Sequence, residues 1–426
     1  MRARTLGALL LVGGMASVVG AERGTAADVL TFAGSQYQPA AWGDLDGWGN
    51  DDHLAAFRAF LTSCRAKPAK QQPANDTIAT IAVALGDICA RARVSGALDE
   101  AGARRFFEDN FRPLRIARLG QTDGFLTGYY EPVLDGSRVP TAEFAVPLYR
   151  RPPNLVASGA RSLGGLFPSK GVKVGRRVGR RLIVPYYTRG EIEDGALDGW
   201  HSEISWVRSQ LDVLFAQIQG SVRIRLQDGS VLRLNYDSYN GWPYTSVGRV
   251  LIDRGVMTKD EVSMQRIRTW MEANPDQAID VRRQNQSYVF FRVMELADKD
   301  EAMGAQGVPL MAGRSIAVDR ALHAYGTPFF IDADLPIASA KATTPFQRLM
   351  IAQDTGSAIV GIARADIYFG AGADAARVAG RIKHPGRFVM LVPRTLDPVA
   401  AAGATPLPPQ RPSETSLAES PLILPP

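Results

Sequence analysis

Apolar residues recur at helical spacing in two neighbouring stretches of the N-terminal third of the chain. One stretch follows Asp51 and the other follows Asp76, and aspartate is a residue type that caps helix N-termini. The apolar stripes consist of Leu54, Phe57, Phe60, Leu61 and Cys64 in the first stretch and Ile78, Ile81, Leu85 and Cys89 in the second. A third helical pattern covers residues 100–111. The pattern therefore predicts three consecutive helices.

Beyond these helices the pattern changes to the alternation of β-strands, first over residues 125–133. Residues 137–274 are polar, basic and rich in loops, with a hairpin predicted around Asp228-Gly229. Thr258 and Glu261 form a capping box that predicts a helix running to Asn274. Short apolar strands follow at residues 288–293, 315–318, 329–331, 349–352, 367–369 and 388–392. Such closely spaced strands predict a small barrel rather than alternating βαβ units.

The N-terminus has the pattern of a secretory signal. Arg2 and Arg4 precede an apolar run over residues 6–19, so residues 1–21 are interpreted as a signal peptide. In an exported protein, two cysteines on the inner stripes of adjacent helices are expected to form a disulfide. A Cys64–Cys89 bridge would stabilise the fold by roughly 3 kcal/mol in the loop-entropy model. Two buried free thiols are the alternative.

Composition excludes several classes of protein. The 426 residues are 46% hydrophobic and 22% charged, as in soluble globular proteins, and a net charge of +6 is too small to indicate a nucleic-acid partner. Two cysteines and four scattered histidines exclude zinc fingers and iron–sulfur clusters, and we expect no metal and no cofactor. Residues 398–426 are rich in proline and lack aromatic residues, which predicts a disordered tail.

The basic stretch over residues 173–181 has two interpretations. It is expected to be a solvated loop or an edge strand whose charges discourage pairing. Binding to an anionic lipid or an acidic polymer is the alternative.

Residues that carry chemistry concentrate at 351–359. Asp354 directly follows a short apolar strand and precedes a Thr-Gly turn, which places its carboxylate where a rigid strand meets a loop. An Asx-turn in which Asp354 only binds the backbone is the alternative interpretation. The sequence Asp-Thr-Gly-Ser from Asp354 also matches aspartic proteases, but those enzymes need two such carboxylates and the chain has one copy.

Several blocks around Asp354, taken in order, resemble the MltA family of bacterial lytic transglycosylases, which cut the murein glycan. The blocks are GYYEP at 128–132, NQSYVFFR at 285–292, VPL at 308–310, AGRSIAVD at 312–319, GTPFFID at 326–332, DTGSAI at 354–359, ADIYFG at 365–370 and KHPGR at 383–387. Residues 319–366 also resemble the wider 3D domain, whose three aspartates correspond to Asp319, Asp354 and Asp366.

The resemblance implies a mainly β protein with N-terminal helices. Its barrel would be a double-psi β-barrel built from two chain segments, with a second β domain inserted and a groove between the two. We expect residues 22–136 to hold the helices and the first part of the barrel, residues 137–284 the inserted domain, and residues 285–397 the second, catalytic part of the barrel.

The resemblance also implies that Asp354 is the catalytic residue. A hydrolytic glycosidase normally needs two carboxyl groups, whereas a lytic transglycosylase uses the C6 hydroxyl of the muramic acid as its nucleophile. One aspartate could first donate a proton and then accept one. The donating form is neutral, so we expect apolar or aromatic residues around Asp354, with Tyr368 and Phe369 as candidates.

The expected site extends to further residues. Asp366 and Asp319 are candidates for positioning Asp354 or holding sugar hydroxyls, with turn formation as the alternative, which is favoured for Asp319. The candidate substrate-binding residues are Thr127, Gly128, Tyr129, Glu131, Ser246, Gln353, Thr355, Gly356, Tyr368 and Phe369. Tyr129, Tyr130, Tyr239 and Trp242 offer faces on which sugar rings stack, although aromatic residues in strands more often belong to the core.

The expected partner is the peptidoglycan glycan strand, bound by a monomer in the periplasm. Contacts with other cell-wall enzymes stay open, and so does association with the outer membrane, because no lipoprotein cysteine follows the apolar run. A two-carboxylate glycoside hydrolase that uses Asp366 and a non-catalytic glycan-binding module are the alternative functions.

Overall fold

The computed structural model describes residues 30–32, 34–66, 75–158, 173–179, 182–296 and 300–396. The predicted signal peptide and proline-rich tail lie outside these ranges. Within them, no helix is long and apolar enough to cross a membrane.

Three α-helices are described between the second and third strands of the main sheet, as the apolar spacing predicts. They are α1 (His53–Ser63), α2 (Asp76–Val94) and α3 (Glu100–Asn110). The predicted caps were each displaced by one residue: Asp52 accepts the backbone N–H of Ala55, and Asn75 accepts that of Ile78. Asp51 instead lies buried against Arg314, with Nη1 of the arginine 2.8 Å from its Oδ2.

The expected Cys64–Cys89 disulfide is present and joins the end of α1 to α2. Both helices pack their apolar stripes on one core that also contains residues of the main sheet, among them Phe330, Leu349 and Leu391. The disulfide therefore fastens a helical layer that covers the outside of the barrel.

The main sheet takes strands from two parts of the chain. Its N-terminal strands are β1 (Leu30–Phe32), β2 (Ser35–Pro39), β3 (Phe111–Arg118) and β4 (Gly124–Glu131). The strands at the C-terminal end are β14 (Ser315–Val318), β15 (Pro328–Leu335), β16 (Thr344–Asp354), β17 (Arg364–Ala371) and β18 (Lys383–Pro393). Their order is β1-β2-β3-β18-β15-β16-β14-β17-β4, and β18 also pairs with β4. That additional pairing closes β4, β14, β15, β16, β17 and β18 into the small barrel that the strand spacing predicted.

The barrel is assembled from two distant parts of the chain, because β4 lies far before β14 in sequence. Two of its pairs are parallel, β14 with β16 and β17 with β4. Its interior is filled by large apolar side chains, including Phe329, Ile331, Phe346 and Met350. Helix α9 (Gly372–Ala379) packs on β4 and β17.

In the described part of the region between β4 and β14 there are three smaller sheets. Their strands are β5 (Val133–Gly136), β6 (Val146–Tyr149), β7 (Leu155–Ser158), β8 (Lys173–Val178), β9 (Leu182–Pro185), β10 (Glu203–Val207), β11 (Ser221–Leu226), β12 (Val231–Tyr239) and β13 (Val289–Met294). The sheets have the orders β13-β12-β11-β5, β10-β6 and β7-β8-β9. The predicted hairpin is confirmed as β11 and β12, with Gly229 at the turn in the left-handed region at φ +81°.

This region is also more helical than the inserted β domain that we expected. It contains α4 (Arg189–Glu193), α5 (Gln210–Gln219), α6 (Val247–Asp253), α7 (Met264–Ala273) and α8 (Pro275–Gln284). Several of these helices share a core in which Leu214, Leu251 and Val281 are fully buried. The molecule is therefore a mixed, sheet-rich fold.

Three local predictions in this region were wrong. The Thr258–Glu261 box closes a turn, and α7 begins five residues later than predicted because Ser263 caps it. Residues 173–178 of the basic stretch form β8, the central strand of its sheet, rather than a loop or an edge strand. The apolar pattern of β13 predicted a barrel strand, but β13 pairs with β12 in the inserted region.

Candidate active site

Asp354 is the last residue of β16, where that strand leaves the barrel. Its neighbour β14 pairs with β16 in parallel, and the register shifts between Ile316 and Ala317 so that Ala317 lies opposite Asp354. Such an irregularity redirects side chains at the end of a strand. The carboxyl group consequently lies on the wall of a cavity.

The cavity is formed by residues of the barrel and of the inserted region together. Its lining residues are Tyr129, Arg189, Gln217, Ile218, Gln219, Tyr244, Asn285, Ser287, Val289, Ala317, Asp354, Thr355, Gly356, Ser357, Ala358, Ile359, Arg364 and Asp366. Its volume of about 200 Å³ is far larger than the space that one bound water needs. The cavity thus lies between the barrel and the inserted region, where the family resemblance places a groove.

Three hydrogen bonds from described residues hold the Asp354 carboxyl group. Oδ1 accepts the backbone N–H groups of Ala305 and Thr355, each at 2.9 Å, and Oδ2 accepts the hydroxyl of Tyr129 at 2.9 Å. The surrounding protein removes most of the hydration of this half-buried group, and this desolvation raises the pKa of Asp354 to about 6 despite the three hydrogen bonds. A substantial fraction of the carboxyl groups is therefore neutral near pH 6.

Asp366 lines the same cavity as Asp354 but belongs to a different hydrogen-bond network. Its Oδ1 accepts the hydroxyl of Thr127 at 2.6 Å, and Thr127 in turn accepts Nη2 of Arg364 at 2.7 Å. Desolvation raises the pKa of Asp366, while the nearby Arg364 charge opposes the rise. The arginine and threonine therefore make Asp366 part of a polar network beside Asp354.

Asp319 binds backbone groups at a turn, away from the cavity. One carboxylate oxygen accepts the N–H of Ala321 at 3.0 Å and the other accepts the N–H of Gly361 at 2.8 Å. This geometry agrees with the structural role that the sequence favoured for Asp319.

Gln353 points to the opposite face of β16 from Asp354, since successive side chains of a strand alternate. Its Nε2 donates to the carbonyl of Ala59 at 3.0 Å and to the hydroxyl of Ser63 at 2.9 Å, and its Oε1 accepts the hydroxyl of Ser315. Gln353 thus joins α1 to the barrel and does not line the cavity.

Glu131, expected in the groove, is buried in a cluster of charges. Nε of Arg223 lies 2.6 Å from Oε2 of Glu131, and Nη2 of Arg233 lies 3.1 Å from the same oxygen. The exposure of the Glu131 side chain is 2%. This carboxylate therefore connects the barrel strand β4 to the hairpin of the inserted region.

Gly128, Phe369 and Ser246 also lie outside the cavity lining. A Cβ on Gly128 would approach Cα of Ala379 to 2.8 Å and Cε2 of Phe369 to 2.9 Å, so the glycine permits close packing of α9 on the barrel. Phe369 packs on the barrel core instead of contributing to the walls around Asp354. Ser246 caps α6 by accepting the N–H of Arg249 at 3.4 Å.

Among the four aromatic residues considered for sugar stacking, only Tyr129 lines the cavity. Its ring packs against Tyr368, with centroids 5.2 Å apart, and the Tyr368 hydroxyl donates to Glu301 at 2.9 Å. Trp242 donates its indole N–H to the carbonyl of Tyr186 within the inserted region. Thr355 and Gly356, two of the candidate substrate-binding residues, both line the cavity.

The sequence did not reveal the contribution of the inserted region. Arg189 is 1% exposed, and its side chain donates to the carbonyl groups of Asn285 and Ser287 at 2.9 and 2.7 Å and to Oε1 of Gln217 at 2.7 Å. Desolvation lowers the pKa of Arg189 to about 10, so it is still charged at neutral pH. Asn285 and Ser287 belong to the NQSYVFFR block that the sequence singled out. Nothing in the sequence around Arg189 indicated a buried charge.

Among the residues that the structure describes, no group of three or more histidine, cysteine or acidic side chains is arranged to hold a metal ion. The chemistry available in the cavity is that of carboxyl, hydroxyl, amide and guanidinium groups.

Comparison with known proteins identifies both parts of the chain. Residues 125–292 match the MltA specific insert domain, and residues 314–392 match the 3D domain. The fold and the site together define the class: a barrel protein that carries a 3D domain, is interrupted by an MltA-type insert, and has a carboxyl group in the cavity between them.

The chain belongs to the MltA family. It is 35% identical over 268 residues, 62% of this chain, to membrane-bound lytic murein transglycosylase A of Escherichia coli K12, and the match spans 64% of that relative's length. It is 30% identical over 283 residues to the protein of the same name from Vibrio cholerae, covering 64% of this chain and 68% of the relative.

Solved structures agree with this assignment. A membrane-bound lytic murein transglycosylase from Agrobacterium tumefaciens is 36% identical, with a TM-score of 0.77 over 87% of this chain and 99% of the other. The E. coli MltA structure with bound chitohexaose is 26% identical, with a TM-score of 0.61 over 87% of this chain and 95% of the other.

Proposed function

We propose that this protein is a lytic transglycosylase that cleaves the β-1,4 bond between N-acetylmuramic acid and N-acetylglucosamine in peptidoglycan. The observation that carries the proposal is the Asp354 carboxyl group, which lies on the cavity wall with its pKa raised to about 6. An acid with that pKa can be protonated to donate and, once ionised, can accept a proton. The names of the relatives, lytic murein transglycosylases, support the same activity.

In the proposed reaction, neutral Asp354 donates its proton to the glycosidic oxygen as the bond from C1 to that oxygen breaks. The C6 hydroxyl of the same muramic acid then attacks C1, and the Asp354 carboxylate removes the hydroxyl proton. The sugar's own covalent frame holds this nucleophile beside C1, so effective concentration replaces a captured water. The products are a free 4-hydroxyl on N-acetylglucosamine and a 1,6-anhydro-N-acetylmuramic acid end.

Asp366 is assigned a positioning role in this scheme. Thr127 donates to its carboxylate, and Arg364 is close enough to oppose the rise of its pKa. The charge of ionised Asp366 contributes to the raised pKa of Asp354. Asp366 would thereby help to keep Asp354 protonated until the substrate is bound.

A two-carboxylate hydrolase is the second candidate, because Asp354 and Asp366 line the same cavity and both have a raised pKa. The two reactions give different products. A hydrolase releases muramic acid with a reducing end, whereas a transglycosylase releases the anhydro sugar, which has none.

The test is mass spectrometry of murein sacculi digested by purified protein that lacks residues 1–21, with no metal added. Anhydro ends as the main product support the proposal, and reducing ends favour the hydrolase. The Asp354→Asn variant serves as the matched control for contaminating enzymes. Protein that binds sacculi but releases no soluble fragments would be a glycan-binding module.

The substrate and location are proposed on the same basis. The E. coli structure holds chitohexaose, so we infer that a glycan strand also binds in the cavity of this chain. We retain export to the periplasm, a monomeric state and a double-psi arrangement of the barrel as predictions. The relatives are named membrane-bound, which supports a location in the cell envelope.

A further inference from the structure

The two oxygens of the Asp354 carboxyl group have different surroundings. Oδ1 accepts two backbone N–H groups, from Ala305 and Thr355, each at 2.9 Å. From the described residues, Oδ2 accepts one hydrogen bond, the hydroxyl of Tyr129 at 2.9 Å. The group is therefore asymmetric before any substrate is present.

This asymmetry determines where a proton can reside. A carboxyl oxygen has two in-plane directions for hydrogen bonding, and on Oδ1 both are taken by N–H groups that can only donate. A proton on Oδ1 would face these two donors and displace at least one of them. On Oδ2 the tyrosine hydroxyl takes one direction and leaves the other for the proton. A hydroxyl can also rotate to act as donor or acceptor, which a backbone N–H cannot do.

Tyr129 is held in place by the barrel. It lies on β4 directly opposite Tyr368 in the parallel pairing with β17, and the two rings pack with centroids 5.2 Å apart. Ala317 and Ile359 belong to the same buried cluster. The hydroxyl therefore keeps its position against Oδ2 because the ring to which it is attached cannot swing away.

We propose that Tyr129, a residue that the sequence suggested for sugar stacking, is a positioning residue that makes Oδ2 of Asp354 the oxygen that exchanges the proton. Its hydroxyl donates to Oδ2 when Asp354 is ionised and so stabilises the carboxylate left after the first proton transfer. It fixes the direction from which that oxygen protonates the glycosidic oxygen. This role rests on the proposed transglycosylase activity.

The test compares Tyr129→Phe with Tyr368→Phe in the full mature chain. Both variants remove a buried tyrosine hydroxyl from the same pair of rings, but only the first removes a hydrogen bond to Asp354. The first readout is the titration of Asp354 followed by NMR of protein with ¹³C-labelled aspartate, where the Asp354→Asn variant identifies the signal. The second readout is the pH profile of murein solubilisation.

Loss of one hydrogen bond to the charged form is expected to move the titration midpoint of Asp354 upward by about one pH unit in Tyr129→Phe. The alkaline limb of kcat should move upward with it, and kcat should fall while KM is retained. Tyr368→Phe should leave the Asp354 midpoint in place. An unchanged or lower midpoint in Tyr129→Phe, or an equal shift in both variants, would overturn the proposal.

The two proposals fail in distinguishable ways. If wild-type protein releases no anhydro product, the proposed function fails, but the substrate-free titration still reports whether Tyr129 stabilises the Asp354 carboxylate. If anhydro product forms and the midpoint does not respond to Tyr129→Phe, the transglycosylase activity stands and the role of Tyr129 is refuted.

Discussion

Replacing Asp354 with asparagine should make the protein more stable at alkaline pH while it removes activity. The environment of Asp354 disfavours the charged carboxylate, since desolvation raises its pKa from 3.8 to about 6. Asparagine is nearly isosteric and neutral, and its side-chain oxygen can still accept the N–H groups of Ala305 and Thr355. The substitution removes a transferable proton together with an unfavourable charge.

The size and sign of the effect follow from linkage between protonation and folding. A carboxyl group whose pKa is raised by folding binds its proton more tightly in the folded state, so its contribution to stability is lost as the pH rises from about 4 to about 6. A shift of about two pKa units corresponds to roughly 3 kcal/mol at most. Solvent in the cavity screens part of this energy. We therefore expect the free energy of unfolding of the asparagine variant to exceed that of wild type by about 1–3 kcal/mol near pH 8 and to equal it below about pH 4.

The assay is urea unfolding of wild type and variant between about pH 4 and pH 8 with the disulfide intact, alongside turnover of murein. Turnover of the variant should fall by about 10²- to 10⁴-fold, the usual loss when a general acid is removed. Asp374→Asn is the matched control, because Asp374 is 90% exposed at the start of α9 and paired only with Arg377 in the described contacts. It should show no comparable pH-dependent gain.

Two results would refute this reasoning. If Asp354→Asn is less stable than wild type at every pH, the residue is a turn former whose carboxylate the fold requires. If the variant retains activity, Asp354 is not the acid.

Three further predictions concern other residues. Cys64→Ser combined with Cys89→Ser should lower the free energy of unfolding by about 3 kcal/mol in urea denaturation, because the unfolded chain is no longer cross-linked. An unchanged free energy of unfolding would show that the disulfide does not constrain the unfolded chain. Glu131→Gln should lower the free energy of unfolding by about 3–5 kcal/mol, because it removes the carboxylate buried beside Arg223. The folded fraction should keep its KM for murein. A large rise in KM at unchanged stability would instead indicate that Glu131 binds the substrate. Asp366→Asn should reduce kcat/KM less than Asp354→Asn does and leave anhydro ends as the product, whereas equally severe losses without unfolding would favour the hydrolase.

Local features of the fold could be read from the sequence because they depend on neighbouring residues. Helical spacing of apolar residues located α1 and α2, and the turn chemistry of Asp228-Gly229 located the hairpin of β11 and β12. Caps and helix starts were misplaced by one to several residues, since several adjacent polar residues can serve as a cap and the sequence does not say which one will.

Strand partners could not be read in the same way. The apolar pattern of β13 is the same whether it lies in the barrel or beside β12, because pairing depends on contacts between distant parts of the chain. The same holds for Gln353 and Glu131, whose polar side chains fitted a groove but are fixed in the structure by Ser63 and Arg223, residues far away in the sequence.

The sequence by itself singled out Asp354 as the candidate acid, because Asp354 stands at the end of an apolar strand in a block that resembles a known family. Only the tertiary structure decided the state of that residue. Its raised pKa and its hydrogen bond to Tyr129, 225 residues away, exist because parallel pairing brings β4 beside β17 and the inserted region covers the cavity. Desolvation and hydrogen bonding depend on the atoms that surround a group in space, and for Asp354 most of those atoms come from distant parts of the chain.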